Sequence, residues 1–121
     1  MDDDARDALD VAMQALRAEY LAESPERVRE LSAALGRLRV KDAAALADLQ
    51  RYFHRLAGSG GSYGFPLVTD RSRAGELAVS LLARESRPLV REDFAVLEQH
   101  VLGVTEAFRN AQRDFAGGAP R

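Results

Sequence analysis

The sequence predicts an all-α protein built as an up-down antiparallel helical bundle. Apolar residues recur at spacings of three and four through five successive segments, the period of an amphipathic helix. Period-two alternation is not sustained anywhere and β-branched residues are sparse, which argues against strands. Prolines, glycines and acidic residues fall between the periodic segments, where helices start and stop. A helix with one apolar stripe must bury it, and several of similar length with short connections pack antiparallel. The 121 residues suit one domain, 1–121.

The first helix is predicted from Asp3 to Ala22, with Leu9, Met13, Leu16 and Tyr20 as its stripe. Asp2, Asp3 and Asp4 lie where a helix N-terminus favours negative charge. Ser24-Pro25-Glu26 restarts the chain, with serine as N-cap and proline at the first helical position. The second helix runs to Leu38 on Val28, Leu31, Leu35 and Leu38. Asp42 caps the third, whose stripe is Leu46, Leu49, Phe53 and Leu56 and which runs into the glycine-rich 58–64. Pro66 opens the fourth, with Leu67, Ala74, Leu77, Ala78 and Leu81 facing inward. Residues 84–91 contain Pro88 and read as a loop. The fifth starts near Glu92-Asp93, and Phe94, Leu97, Val101, Val104, Phe108, Ala111 and Phe115 form a bundle seam. Gly117-Gly118-Ala119-Pro120 ends it, and the tail 116–121 is expected to fray.

Composition removes several function classes. Seventeen basic against nineteen acidic residues give a net charge of −2, without the basic excess of a nucleic-acid binder. There is no cysteine, which excludes disulfides, thiolate metal sites and thiol redox chemistry. With His54 and His100 as the only histidines, a His-rich metal site is excluded, and no metal is expected. The longest uncharged run, Leu56 to Thr69, is too short and too rich in glycine to span a membrane. The acidic start lacks the positive charge of an export signal, so a cytoplasmic location is expected.

The chemistry concentrates in Phe53–Phe65, F-H-R-L-A-G-S-G-G-S-Y-G-F. Glycine inside a helix costs about 1 kcal/mol relative to alanine, so Gly58, Gly60, Gly61 and Gly64 need a reason other than the core. At 100° per residue, His54 projects about 130° from the centre of the Leu49–Phe53–Leu56 stripe, on the solvent side. Ala47, Gln50, Ala57, Gly58 and Gly61 share its face. The imidazole therefore stands where small neighbours leave clearance for another protein's active site. Glycines after a helix also serve as C-caps. A nucleotide-binding glycine loop must follow a strand, and this one follows a helix. Nothing resembles the nucleophile elbow of a hydrolase.

Taken together, H-R-L-A-G-S-G-G-S-Y-G, followed by F-P-L and an acid-bearing helix, resembles the histidine-containing phosphotransfer (HPt) domain and its pattern His-x-x-Lys-Gly-x-x-x-x-x-Gly. His54, Gly58 and Gly64 match in register, and Leu56, Ser59 and Phe65 are typical of the family. The resemblance covers the chain from about Leu16 to Phe115 and implies a four-helix bundle with an additional N-terminal helix. It departs at Ala57, where the family carries a lysine thought to hold the phosphoryl group.

The resemblance implies that His54 is the phosphoryl acceptor of a two-component phosphorelay. It would exchange phosphate with receiver-domain aspartates or take it from a histidine kinase. Glu76 is implied to bond the histidine, and a carboxylate accepting from Nδ1–H leaves Nε2 as the nucleophile. Arg73, Arg55 and Arg51 are candidates for the missing cation, with Arg73 favoured because it shares Glu76's helix face. Gln50, Ala57, Gly58, Gly61 and Gly64 are the candidate partner-binding positions. No cofactor is expected on this chain; the receiver would supply Mg²⁺. The protein would be a phosphoryl carrier, not an enzyme, and a monomer without nucleic-acid or membrane partners. Two alternatives stay open: a non-phosphorylated adaptor for receivers, and the phospho-accepting domain of a larger histidine kinase.

Overall fold

The computed structural model describes residues 2–118. They form five helices: α1 (Asp3–Ala22), α2 (Ser24–Arg39), α3 (Ala45–Ser62), α4 (Pro66–Arg84) and α5 (Arg91–Gly118). Residues 119–121 of the tail lie outside the described residues, and α5 runs through 116–118 where fraying was expected.

The helix ends follow local chemistry. Asp2 caps α1 by accepting the Ala5 N–H at 2.8 Å, with Asp3 and Asp4 in the first turn. Asp42 accepts the Ala44 N–H at 2.9 Å and so caps a short turn that leads into α3. Ser24 does not cap α2. It lies inside the helix, buried, and its hydroxyl donates back to the Leu21 carbonyl at 2.7 Å, because α2 follows α1 with only Glu23 between them. The α3–α4 corner is a Schellman motif: Gly64 N–H bonds the Gly61 carbonyl at 3.1 Å and Phe65 N–H the Gly60 carbonyl at 2.7 Å. Gly64 sits at φ +81°, in the left-handed region that favours glycine.

Four helices close a ring: α2 packs on α3, α3 on α4, α4 on α5, and α5 back on α2. Their inner faces meet in one core that includes Leu31, Leu49, Phe53, Val79, Leu97 and Val104. The stripes expected for α3 and α5 supply much of it. α1 stands apart, touching α5 and α2 mainly through its C-terminal half.

Two expected faces are corrected. On α1, Leu9 and Leu16 face solvent, and the helix docks through Arg17, Tyr20 and Leu21. The reason is contact chemistry at the α3–α4 corner. Tyr20 stacks on Tyr63 with centroids 4.6 Å apart, and Arg17 Nε donates to the Tyr63 carbonyl at 2.8 Å. On α4, Leu67, Ala74, Leu77 and Leu81 are exposed, while Val68, Thr69, Ser72, Gly75 and Val79 are buried. The inward face of α4 is its small-residue face, because α3 approaches too closely for leucines.

Candidate functional site

His54 projects from the middle of α3 with its side chain 75% exposed. Its Nδ1 lies 2.6 Å from Oε2 of Glu76 on α4, whose side chain is 27% exposed. With the carboxylate as acceptor, the proton belongs on Nδ1, and Nε2 carries the free lone pair. One turn earlier on α3, Gln50 Nε2 donates to Ser80 Oγ at 2.9 Å. Four residues back along α3 thus match four residues forward along α4, so the two helices run antiparallel in fixed register. One turn the other way, Ala57 and Gly58 fall level with Ser72 and Arg73.

This register decides what each neighbouring position can do. A Cβ on Gly58 would meet nothing within 4 Å, so the surface beside His54 is open. One on Gly61 would meet only Thr69 Oγ1, at 3.4 Å. Ala57 is corrected: it is buried, and its carbonyl accepts the Thr69 hydroxyl at 2.7 Å, so its side chain is not on the exposed face. It lies about 60° from His54 on the wheel, on the side that α4 covers. Gly64 is exposed, and its left-handed conformation serves the helix-ending turn. Gly60 is buried, and a Cβ there would come within 2.9 Å of the Thr69 backbone nitrogen.

The three arginines separate in space. Arg51 pairs with Asp48 at 2.9 Å and lies over the Tyr52 ring. Arg55 lines a cavity of about 300 Å³ with Tyr20, Glu23, Arg27, Tyr52 and Tyr63, on the α1–α2 side of α3. Arg73 is exposed on α4, level with Ala57. Sequence reasoning missed Ser80 and Gly75; for Gly75, glycine inside a predicted helix was the available signal. It set Gly60 outside the core, whereas Gly60 is buried against α4.

Among the described residues, no group of three or more His, Asp or Glu side chains is placed to hold a metal ion. No described helix is long and apolar enough to cross a membrane. No curated protein and no solved structure matches the chain significantly. The family model for the Hpt domain matches residues 15–111, most of the sequence. The chain therefore belongs to the Hpt domain family, whose members are phosphocarrier modules of two-component signalling.

Proposed function

We propose that this protein relays a phosphoryl group through His54, between receiver-domain aspartates or from a histidine kinase to a response regulator. The observation that carries the reading is the exposed imidazole whose Nδ1 meets Glu76 at 2.6 Å, beside the open surface at Gly58. In the forward step, Nε2 attacks the phosphorus of the receiver's aspartyl phosphate. The P–N bond forms, the P–O bond breaks, and the aspartate leaves as carboxylate. The imidazole becomes positively charged, and Glu76 offsets that charge through the Nδ1–H bond. The receiver supplies Mg²⁺ and the groups that hold the transferring phosphoryl; this chain supplies neither nucleotide nor metal. His54, Gly58 and Gly61 are the centre of the docking surface, and the exposed Leu77 and Leu81 extend it along α4. The four ringed helices are arranged up and down, with α1 as the addition, in a single cytoplasmic domain acting as a monomer.

Arg73 takes the place of the absent lysine. It stands level with Ala57, on the same stretch of α4 as Glu76, and its planar fork suits phosphate oxygens. Arg73→Ala should slow transfer or shorten the phosphohistidine lifetime by about 1–3 kcal/mol, the range for a hydrogen bond to a charged group and its loss. Unchanged rate and lifetime in Arg73→Ala would remove Arg73 from the site.

Ala57 in the lysine position favours one second reading, an adaptor that binds receivers without being phosphorylated. Incubation with a panel of phosphorylated receivers separates the two. Transfer of an acid-labile, base-stable label to the protein supports the relay. Receiver binding without any label supports the adaptor.

A further inference from the structure

Directly beneath the His54–Glu76 pair lies a second pair, Phe53 on α3 and Gly75 on α4. Each is the chain neighbour of a member of the surface pair. Phe53 is wholly buried. A Cβ built on Gly75 would lie 2.5, 2.7 and 2.7 Å from three carbons of the Phe53 ring. Carbon atoms in contact sit about 3.5–4.0 Å apart, so even one methyl group would force a shift of about 1 Å. The ring is hemmed in by the core and cannot swing aside into solvent. The shift would fall on the separation of α3 and α4.

We infer that Gly75 and Phe53 are positioning residues for the His54–Glu76 pair: the ring seated on bare α4 backbone sets the helix separation that lets Nδ1 reach the carboxylate. The inference rests on the reading of His54 as phosphoryl acceptor, and it adds what holds the acceptor nitrogen in place. At 2.6 Å the bond has little slack. Moved by about 1 Å, it would exceed the distance at which an N–H···O contact still counts as a hydrogen bond. The imidazole would then lose the partner that selects its tautomer, and Nε2 would lose its fixed direction of attack. Gly60 seats α4 in the same manner near the far end of α3, against Thr69 and Val68. Gly75 is the contact at the level of the chemistry.

Helix propensity gives the opposite expectation, which makes the effect separable. Alanine is favoured over glycine inside a helix, so Gly75→Ala should strengthen α4 if local preference were the whole story. Gly36 on α2 is the matched control, because a Cβ there meets nothing within 4 Å.

The test measures imidazole nitrogen chemical shifts of His54 by NMR together with the rate of phosphotransfer from a phosphorylated receiver. Wild type and Gly36→Ala should show a protonated Nδ1 and a bare Nε2. Gly75→Ala should lose that signature, and its transfer rate should fall by about 100-fold, the cost of misplacing a reacting group by an ångström. Shrinking the ring in the double variant Phe53→Leu/Gly75→Ala should bring both readouts back toward wild type. Gly75→Ala with the wild-type signature, or with the signature lost and transfer unchanged, overturns the inference. If Gly75→Ala does not fold, the double variant decides: folded with the signature restored supports the pairing, and unfolded or folded without it overturns the pairing. A wild type that accepts no phosphoryl group refutes the relay reading, while the nitrogen shifts still decide whether Phe53 and Gly75 hold the pair.

Discussion

The α3–α4 contact and the seam of α5 are two different ways of joining helices. Along α5, Leu97, Val101, Val104 and Phe108 are buried at three-four spacing, and the helix is held by large side chains filling the core. Between α3 and α4, the buried positions include Ala57, Gly60, Thr69, Ser72 and Gly75, and bare glycine backbone on one helix receives the other: Thr69 and Val68 at Gly60, the Phe53 ring at Gly75. A seam of leucines and phenylalanines tolerates small shifts, because flexible side chains repack. A contact in which one side is bare backbone has less room to repack. The difference teaches that the joint with least room to repack lies beside the 2.6 Å His54–Glu76 hydrogen bond, and the compliant one lies away from it.

The comparison can be broken most strongly at the seam. Leu97 is completely buried, so Leu97→Ala should cost about 3 kcal/mol in denaturant unfolding. It should leave the His54 nitrogen shifts unchanged. A seam variant that disturbed those shifts would show that the two joints are not independent.

Within the α3–α4 region, two glycines of one helix should respond with opposite signs. Gly60→Ala pushes a carbon against the Thr69 backbone and should destabilise by about 1–3 kcal/mol. Gly58→Ala meets nothing and should stabilise by about 0.5–1 kcal/mol. Gly58→Gln should retain stability and lose transfer, since its bulk stands beside the imidazole. Thermal unfolding and transfer rate, measured on the same samples, sharpen or dissolve the contrast.

The smallest effect expected is electrostatic and away from both joints. Arg87, with help from the Val90 N–H, holds the Asp93 carboxyl down at about 2. Arg37 lowers Asp42 and Asp48 below their ordinary values in the same way. A carboxyl lowered by folding stabilises the fold above the ordinary Asp range, about 4, and that contribution is lost as pH falls toward the folded value. Stability should therefore decline from about pH 4 downward, and Asp93→Asn should make the decline shallower while lowering stability at neutral pH. Equilibrium unfolding across pH 2–7, with identical slopes for the variant and wild type, would contradict this assignment.

How much of this was legible in the sequence follows the same division. The α5 seam and the Leu49–Phe53–Leu56 stripe were readable because large apolar residues at helical spacing advertise their burial. The register of α4 was not, because Leu67, Leu77 and Leu81 form the better apolar stripe and face solvent, whereas Ser72 and Gly75 carry no hydrophobic signal. The solvent side of His54 followed from the wheel alone. Ala57 was misplaced because the wheel says where a residue points, not which neighbour covers it. The outward turn of Leu9 and Leu16 depended on Tyr20 finding Tyr63 and Phe65, a contact between residues distant in sequence.

The central claim is that His54 is the phosphoryl acceptor, held by Glu76 with Nε2 free. The most direct measurement is phosphorylation of the wild type, His54→Gln and His100→Gln by a phosphorylated receiver, with the attachment atom read by NMR. Acid-labile, base-stable label is expected on Nε2 of His54, retained in His100→Gln and absent from His54→Gln. Label that persists in His54→Gln would contradict it.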